Sequence, residues 1–123
     1  MPRSGCDKKS PHQATDCDND QIVMKSTEIL ALNGNSAATL YLYTSAHCQT
    51  AWGAVKIHGE SKRRLDLYLT VDGEIFNEEH DVSVPSASTV MASLRSGRCI
   101  ITRTVVYYLA APGHYPTAEL STC

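Results

Sequence analysis

Apolar and polar positions alternate along much of this chain with the period of two that a β-strand requires. The clearest run is Leu65-Asp66-Leu67-Tyr68-Leu69-Thr70-Val71, in which Leu65, Leu67, Leu69 and Val71 share one face while Asp66, Tyr68 and Thr70 share the other. Asp72-Gly73 suits the positive φ of a tight hairpin and leads into Glu74-Ile75-Phe76. Upstream, Ile22 to Met24 and Glu28 to Leu32 read as short strands, followed by the turn signal Asn33-Gly34-Asn35. Ala38 to Tyr43 alternates aliphatic side chains with Tyr41 and Tyr43, a pattern for a strand covered on both faces, and Thr50 to Ile57 reads as the strand after it. Cys99 to Leu109 is β-branched and aromatic on both faces, which suits a central strand. The turn Ala111-Pro112-Gly113 then leads to a last strand ending at Cys123.

One segment supports two readings. Pro85 at its start, Val90, Met91 and Leu94 at helical spacing and Gly97 at its end describe a short helix over Ser86 to Ser96. A loop or irregular strand fits the same residues. Taken together, about eight short strands with regular turn signals predict an all-β domain, a small sandwich or barrel. No internal repeat is present.

Residues 1–20 break the pattern. They are polar and lack apolar periodicity, so they are expected to form an arm outside a single β domain spanning 21–123. A chain of 123 residues has room for one core. A domain of this size buries only about two-thirds of the surface its unfolded chain exposes, so covalent staples would help it.

Charge narrows the function. With 11 basic and 13 acidic residues the net charge is -2, too near neutral for the basic field that non-specific nucleic-acid binding needs. The basic cluster Lys62-Arg63-Arg64 lies between Glu60 and Asp66 and reads as a solvated strand entrance. No apolar run approaches the ~20 residues of a membrane-spanning helix. Asp16, Asp18 and Asp20 open like a calcium loop, but Gln21 stands where glycine is needed and Thr27 where the bidentate glutamate belongs. No two of His12, His47, His58, His80 and His114 share metal-ligand spacing on one element, so no metal or other cofactor is expected. His58, Glu60, Arg63 and Arg64 could supply the base, acid and phosphate clamp of a small nuclease, although polar residues also collect in such turns for solubility. The remaining candidates are aromatic. Tyr41, Tyr43, Trp52 and Tyr68 lie on strands where an exposed face would suit sugar stacking or a protein contact, against the alternative of ordinary cross-strand packing.

Five cysteines, Cys6, Cys17, Cys48, Cys99 and Cys123, are many for a cytosolic chain, and none forms the paired spacing of a zinc ribbon or a thioredoxin-like site. Disulfides and a secreted location are the expectation. Met1 to Gly5 lacks the apolar stretch of a signal peptide, which fits a mature or recombinant form. A Cys6–Cys17 bridge would order the polar arm and contribute about 2–3 kcal/mol in the chain-entropy account.

The opening Cys6-Asp7-Lys8-Lys9-Ser10-Pro11 with Asp16-Cys17, the run from Thr39 to Val55 holding Cys48 and Trp52, and the close Val106-Tyr107-Tyr108 with the terminal Cys123 together resemble the start, core signature and end of the YjfA-like secreted family of bacilli and actinobacteria. Lys8-Lys9-Ser10 replaces Gly-Lys-Asp, Ser83 to Arg98 has no counterpart, and Cys99 is an extra cysteine. The family carries no assigned catalytic residues, so the resemblance implies an extracellular β domain without naming a ligand. It also implies four matched cysteines. Cys6 is expected with Cys17; Cys48 is left with Cys123 or Cys99, and the motifs favour Cys123, which leaves Cys99 a buried thiol or an intermolecular link.

The functional expectation is a non-enzymatic interaction module, an adaptor or subunit of an extracellular assembly such as a toxin complex, with another extracellular protein as partner. A cell-wall or glycan-binding domain and a small secreted hydrolase or nuclease are the alternatives.

Overall fold

The computed structural model of the protein describes residues 21–30, 34–58, 63–82, 84–94, 98–108 and 116–123. The polar arm, with Cys6, Cys17 and the acidic stretch Asp16 to Asp20, lies outside these residues. Among the described residues every regular element is a strand: β1 (Gln21–Leu30), β2 (Ser36–Ser45), β3 (Thr50–Ile57), β4 (Arg63–Val71), β5 (Glu74–Val82), β6 (Ser86–Ser88), β7 (Ala92–Ser93), β8 (Ile100–Tyr108) and β9 (Thr117–Ser121). They form two antiparallel sheets packed as a sandwich. Sheet A runs β1-β2-β3-β6, with β7 also paired to β3; sheet B runs β5-β4-β8-β9.

Local chemistry explains most of the boundaries. Asp72 and Gly73 take φ of 53° and 85° and turn β4 into β5, and Gly34 at 85° serves the β1–β2 connection. The expected alternation in β4 holds: Leu65, Leu67 and Leu69 are fully buried. Ile22–Met24 and the described part of Glu28–Leu32, expected as two strands, belong to one continuous β1, interrupted by a bulge between Val23 and Lys25 that leaves Met24 unpaired. β8 is central, as its composition on both faces requires, lying between β4 and β9. The core between the sheets falls into two clusters. One gathers Ile29, Leu40, Val55, Ile57, Leu65, Leu67 and Val106; the other gathers Leu42, Leu69, Val71 and Ile100.

From Ser86 to Leu94 the segment after Pro85 is not helical. β6 and β7 lie in turn along the free edge of β3, pairing Lys56 with Ser86 and Thr50 with Ser93. Between them Thr89 takes over both hydrogen bonds of Gly53. The Thr89 amide donates to the Gly53 carbonyl at 2.8 Å, and the Gly53 amide donates to Thr89 Oγ1 at 3.0 Å. A β-edge with unpaired amides and carbonyls competes for this segment and outweighs its apolar spacing. The excursion at Thr89–Met91 drops Met91 onto Trp52 and Cys48, forming a small apolar cluster on the outer side of sheet A.

The disulfide expectation requires correction. Cys123 is bonded to Cys99, with 5.2 Å between their Cα atoms, and not to Cys48. Strand register is the cause. β8 and β9 pair Ile101 with Ser121 and Thr102 with Leu120, and the same register carried outward sets Cys99 opposite Cys123. Between the two pairs the Thr122 amide donates to the Ile100 carbonyl at 2.9 Å. Cys48 is itself disulfide-bonded, and the expected Cys6–Cys17 pairing lies outside the described residues.

Candidate functional site

Three of the four aromatic candidates come together on the outer face of sheet A. Tyr41 and Tyr43 occupy outward positions on β2 because Leu40 and Leu42 fill the inward ones. Register places Trp52 beside Tyr43 and Ala54 beside Tyr41. The rings stack in a row, Tyr41 on Tyr43 at 5.4 Å between centroids and Tyr43 on Trp52 at 5.8 Å, with interplanar angles of 24° and 26°. Trp52 is only 1% exposed beneath Met91 and Cys48, so it supports the row and the two half-buried tyrosines present it. Partial burial pushes the Tyr43 hydroxyl pKa up, and Tyr41 adds to the rise.

Next to this row the surface falls away. Ala54 pairs with Ser88 and Lys56 with Ser86, so small side chains follow the tall tyrosines. The result is an open groove of about 700 Å³, lined by Gln21, Tyr41, Tyr43, Trp52, Lys56, Pro85, Ser86 and Ser88 among others. Beyond Lys56, Glu28 receives hydrogen bonds from Ser36 and Thr39, which lower its pKa, and Thr39 Oγ1 also lies 2.7 Å from His58 Nε2.

Tyr68 lies elsewhere, on the outer face of sheet B. There Asp66 is 2% exposed although it points away from the core, because His80, Arg64 and Tyr107 close over it. His80 Nδ1 donates to Asp66 Oδ1 at 2.5 Å, Arg64 lies 3.6 Å from the same oxygen and stacks over the Tyr107 ring at 4.9 Å, and Tyr68 meets His80 edge-on at 5.9 Å. Burial would raise the Asp66 carboxyl, but hydrogen bonds from His80 and Tyr107 and the nearby Arg64 outweigh it and hold the group below its ordinary range. The bond to Asp66 raises His80 above its ordinary value of 6.5, and Glu78, 3.5 Å from Nε2, adds to the rise. Beside this network Tyr68, Ile75, Glu78, Arg103 and Glu119 are among the residues lining a smaller hollow of about 400 Å³.

Of the residues that suggested a nuclease, the two described side chains, His58 and Arg64, serve different sheets. His58 bonds Thr39 on sheet A while Arg64 serves Asp66 on sheet B; Glu60 and the Arg63 side chain are outside the described set. Among the described residues no three His, Cys, Asp or Glu side chains converge as metal ligands. Sequence reasoning missed Lys56, Ser86 and Ser88, whose place in the groove depends on which segment pairs with β3. It also missed the Asp66–His80 bond, which depends on the register of β4 with β5.

A family model described as a protein of unknown function (DUF2690) matches residues 4–103, the greater part of the chain, and the chain belongs to that family. The match stops within β8, so β9 and Cys123 lie beyond it. No curated protein and no solved structure matches the chain.

Proposed function

We propose that this member of a family of unknown function is a secreted, non-enzymatic interaction module that holds another extracellular protein against the outer face of sheet A. The observation that carries this reading is the groove beside the stacked Tyr41–Tyr43–Trp52 row, which combines a rigid aromatic wall with polar groups along its rim. Tyrosine fits such a role because a large ring loses little conformational freedom on binding and carries a hydroxyl at its tip. Here Trp52 and Met91 fix the wall from behind. The rings stack on one another at interplanar angles of 24° and 26° and do not lie in one plane as a platform would, and this favours a protein surface over a stacked sugar. Disulfides at Cys48 and at Cys99–Cys123 fit an oxidising, extracellular setting. The motifs around Cys48 and Trp52 support a place in the YjfA-like branch, and an adaptor or subunit of an extracellular assembly, such as a toxin complex, is the role that follows.

The test is affinity capture from culture supernatant with the tagged chain and with a Tyr41→Ser/Tyr43→Ser variant of verified fold. A defined protein retained by the first and lost by the second is the expected result. Retention unaffected by the substitutions would remove the groove from the account. Binding to an arrayed glycan, abolished by the same substitutions, would establish the carbohydrate alternative instead.

A further inference from the structure

The rim of the groove is unusual in its hydrogen-bonding chemistry. Gln21, Tyr41, Tyr43, Lys56, Ser86 and Ser88 line it, and each can donate a hydrogen bond. No hydrogen bond or ion pair engages these six side chains among the described residues, and no described carboxylate lines the groove. The nearest acid described along the same face, Glu28, is occupied by Ser36 and Thr39. Lys56 is exposed and stands in register with Ser86, so an ammonium and a hydroxyl face the groove side by side. One row along, Ser88 stands in register with Ala54, whose small side chain leaves the floor open between Ser88 and Tyr41. Five of these groups can also accept, so the preference comes from Lys56, the one charged residue among the described lining, and the hydroxyls and the Gln21 amide can join it as donors to an anionic ligand.

We propose that the groove takes an extended acidic segment of its partner, one carboxylate of which is held by Lys56 and Ser86 while apolar side chains of the segment rest against Tyr41 and Tyr43. This rests on the reading of the chain as a protein-binding module and specifies the partner's chemistry. Length agrees with it. From Trp52 to Ile57 the groove follows β3 for five residue steps, about 17 Å at ~3.3 Å each, which holds about five residues of extended peptide. The segment's backbone carbonyls would accept from the Ser88 and tyrosine hydroxyls, so main-chain and side-chain acceptors are served together.

The experiment is selection of random peptides displayed on phage against the immobilised chain, repeated with Lys56→Met and with Tyr41→Ser/Tyr43→Ser. Peptides enriched in Asp or Glu are expected. Their affinity should fall about two- to fivefold with Lys56→Met, as for loss of one solvent-exposed ion pair, and should weaken as salt rises. Peptides that need both tyrosines but show no acidic enrichment, or that ignore Lys56→Met, would overturn the acidic specificity and leave the groove as the binding site. Peptides indifferent to the tyrosines, or no selectable peptide at all, would overturn the groove reading together with it. Stronger retention of an anionic oligosaccharide than of any selected peptide would replace the acidic segment by a glycan.

Discussion

Replacing Gly53 by alanine puts a close approach of the two sheets to the test. A Cβ built at Gly53 would fall 2.6 Å from Thr102 Cβ and 3.2 Å from Thr102 Cγ2, and closer still to Thr102 Oγ1. Rotating Thr102 gives no escape, because its Cβ is itself inside contact distance. Nor is the hydroxyl free to turn, since it donates to the Tyr68 carbonyl at 3.1 Å. Neither backbone can bow away cheaply: Gly53 is held by Leu42 on one side and by Thr89 on the other, and Thr102 sits in β8 between β4 and β9. The sheets must therefore separate locally. Overpacking of this kind costs about 1–3 kcal/mol, and loss of the Thr102 hydrogen bond adds about 1 kcal/mol. The smaller entropy of the unfolded alanine chain offsets roughly 0.4–1 kcal/mol. A net loss of about 2–3 kcal/mol is expected, read as a lower urea midpoint at unchanged slope and a Tm lower by roughly 5–15 °C. Thr102→Gly in the same chain should recover part of it, giving a favourable coupling energy in the double-mutant cycle. A Gly53→Ala protein within about 0.5 kcal/mol of the parent, a shift typical of neutral surface sites, would refute the close approach.

Two further outcomes follow from the staple and the buried carboxylate. Non-reducing peptide mapping should recover Cys99 joined to Cys123, and Cys99→Ser should lower stability by up to about 3 kcal/mol for a separation of 24 residues; Cys48 joined to Cys123 would contradict the β8–β9 register. His80, raised above 6.5, contributes stability that is complete below that value and lost as pH rises through its folded pKa, while Asp66, lowered from 3.8, contributes stability that is present above that value and lost as pH falls through its folded pKa. Stability attributable to the pair should therefore be greatest between about pH 4 and 6.5. Urea midpoints across pH should show the decline above this window weakened by Asp66→Asn, and an NMR titration placing His80 at or below 6.5 would remove the interaction.

Legibility in the sequence divided along a physical line. Features set by neighbours in the chain were readable: the inward leucines of β4, the extent of β3, and the Asp72-Gly73 hairpin all follow from local periodicity and turn chemistry. Features set by pairing between distant segments were not. Val90, Met91 and Leu94 have helical spacing, yet the open edge of β3 draws their segment into strand pairing, a competitor invisible in the local pattern. Cys99 reads as extra beside the four cysteines that the resemblance matches, and its pairing with Cys123 follows from the β8–β9 register. Asp66 alternates with leucines and so reads as solvent-facing; it does face outward, but His80 from β5 and Tyr107 from β8 bury it there. Of the candidate site, the tyrosines were readable as strand aromatics, whereas the serines opposite them and the burial of Trp52 required the fold.

The two outer faces differ in what a partner would have to displace. Over Asp66 on sheet B, donors and acceptors satisfy one another: His80, Tyr107 and Arg64 all serve one buried carboxylate, and opening that network would leave it without partners. Such disruption costs about 1–3 kcal/mol for each buried polar group left unsatisfied, and more when the group is charged. The donors along the sheet A groove hold no described partner in the protein, so a ligand there exchanges water for new hydrogen bonds without breaking existing ones. Burying the tyrosine rings on binding then adds a favourable term that the network over Asp66 does not offer. Geometry reinforces the asymmetry. Thr89 locks the edge of β3 through Gly53, and Met91 wedges Trp52 against Tyr43, so the aromatic wall is held before a partner arrives. A preformed surface with uncommitted donors loses less on association than one that must first rearrange, and this favours sheet A over sheet B for the proposed recognition, while the polar network of sheet B joins β5 to β4.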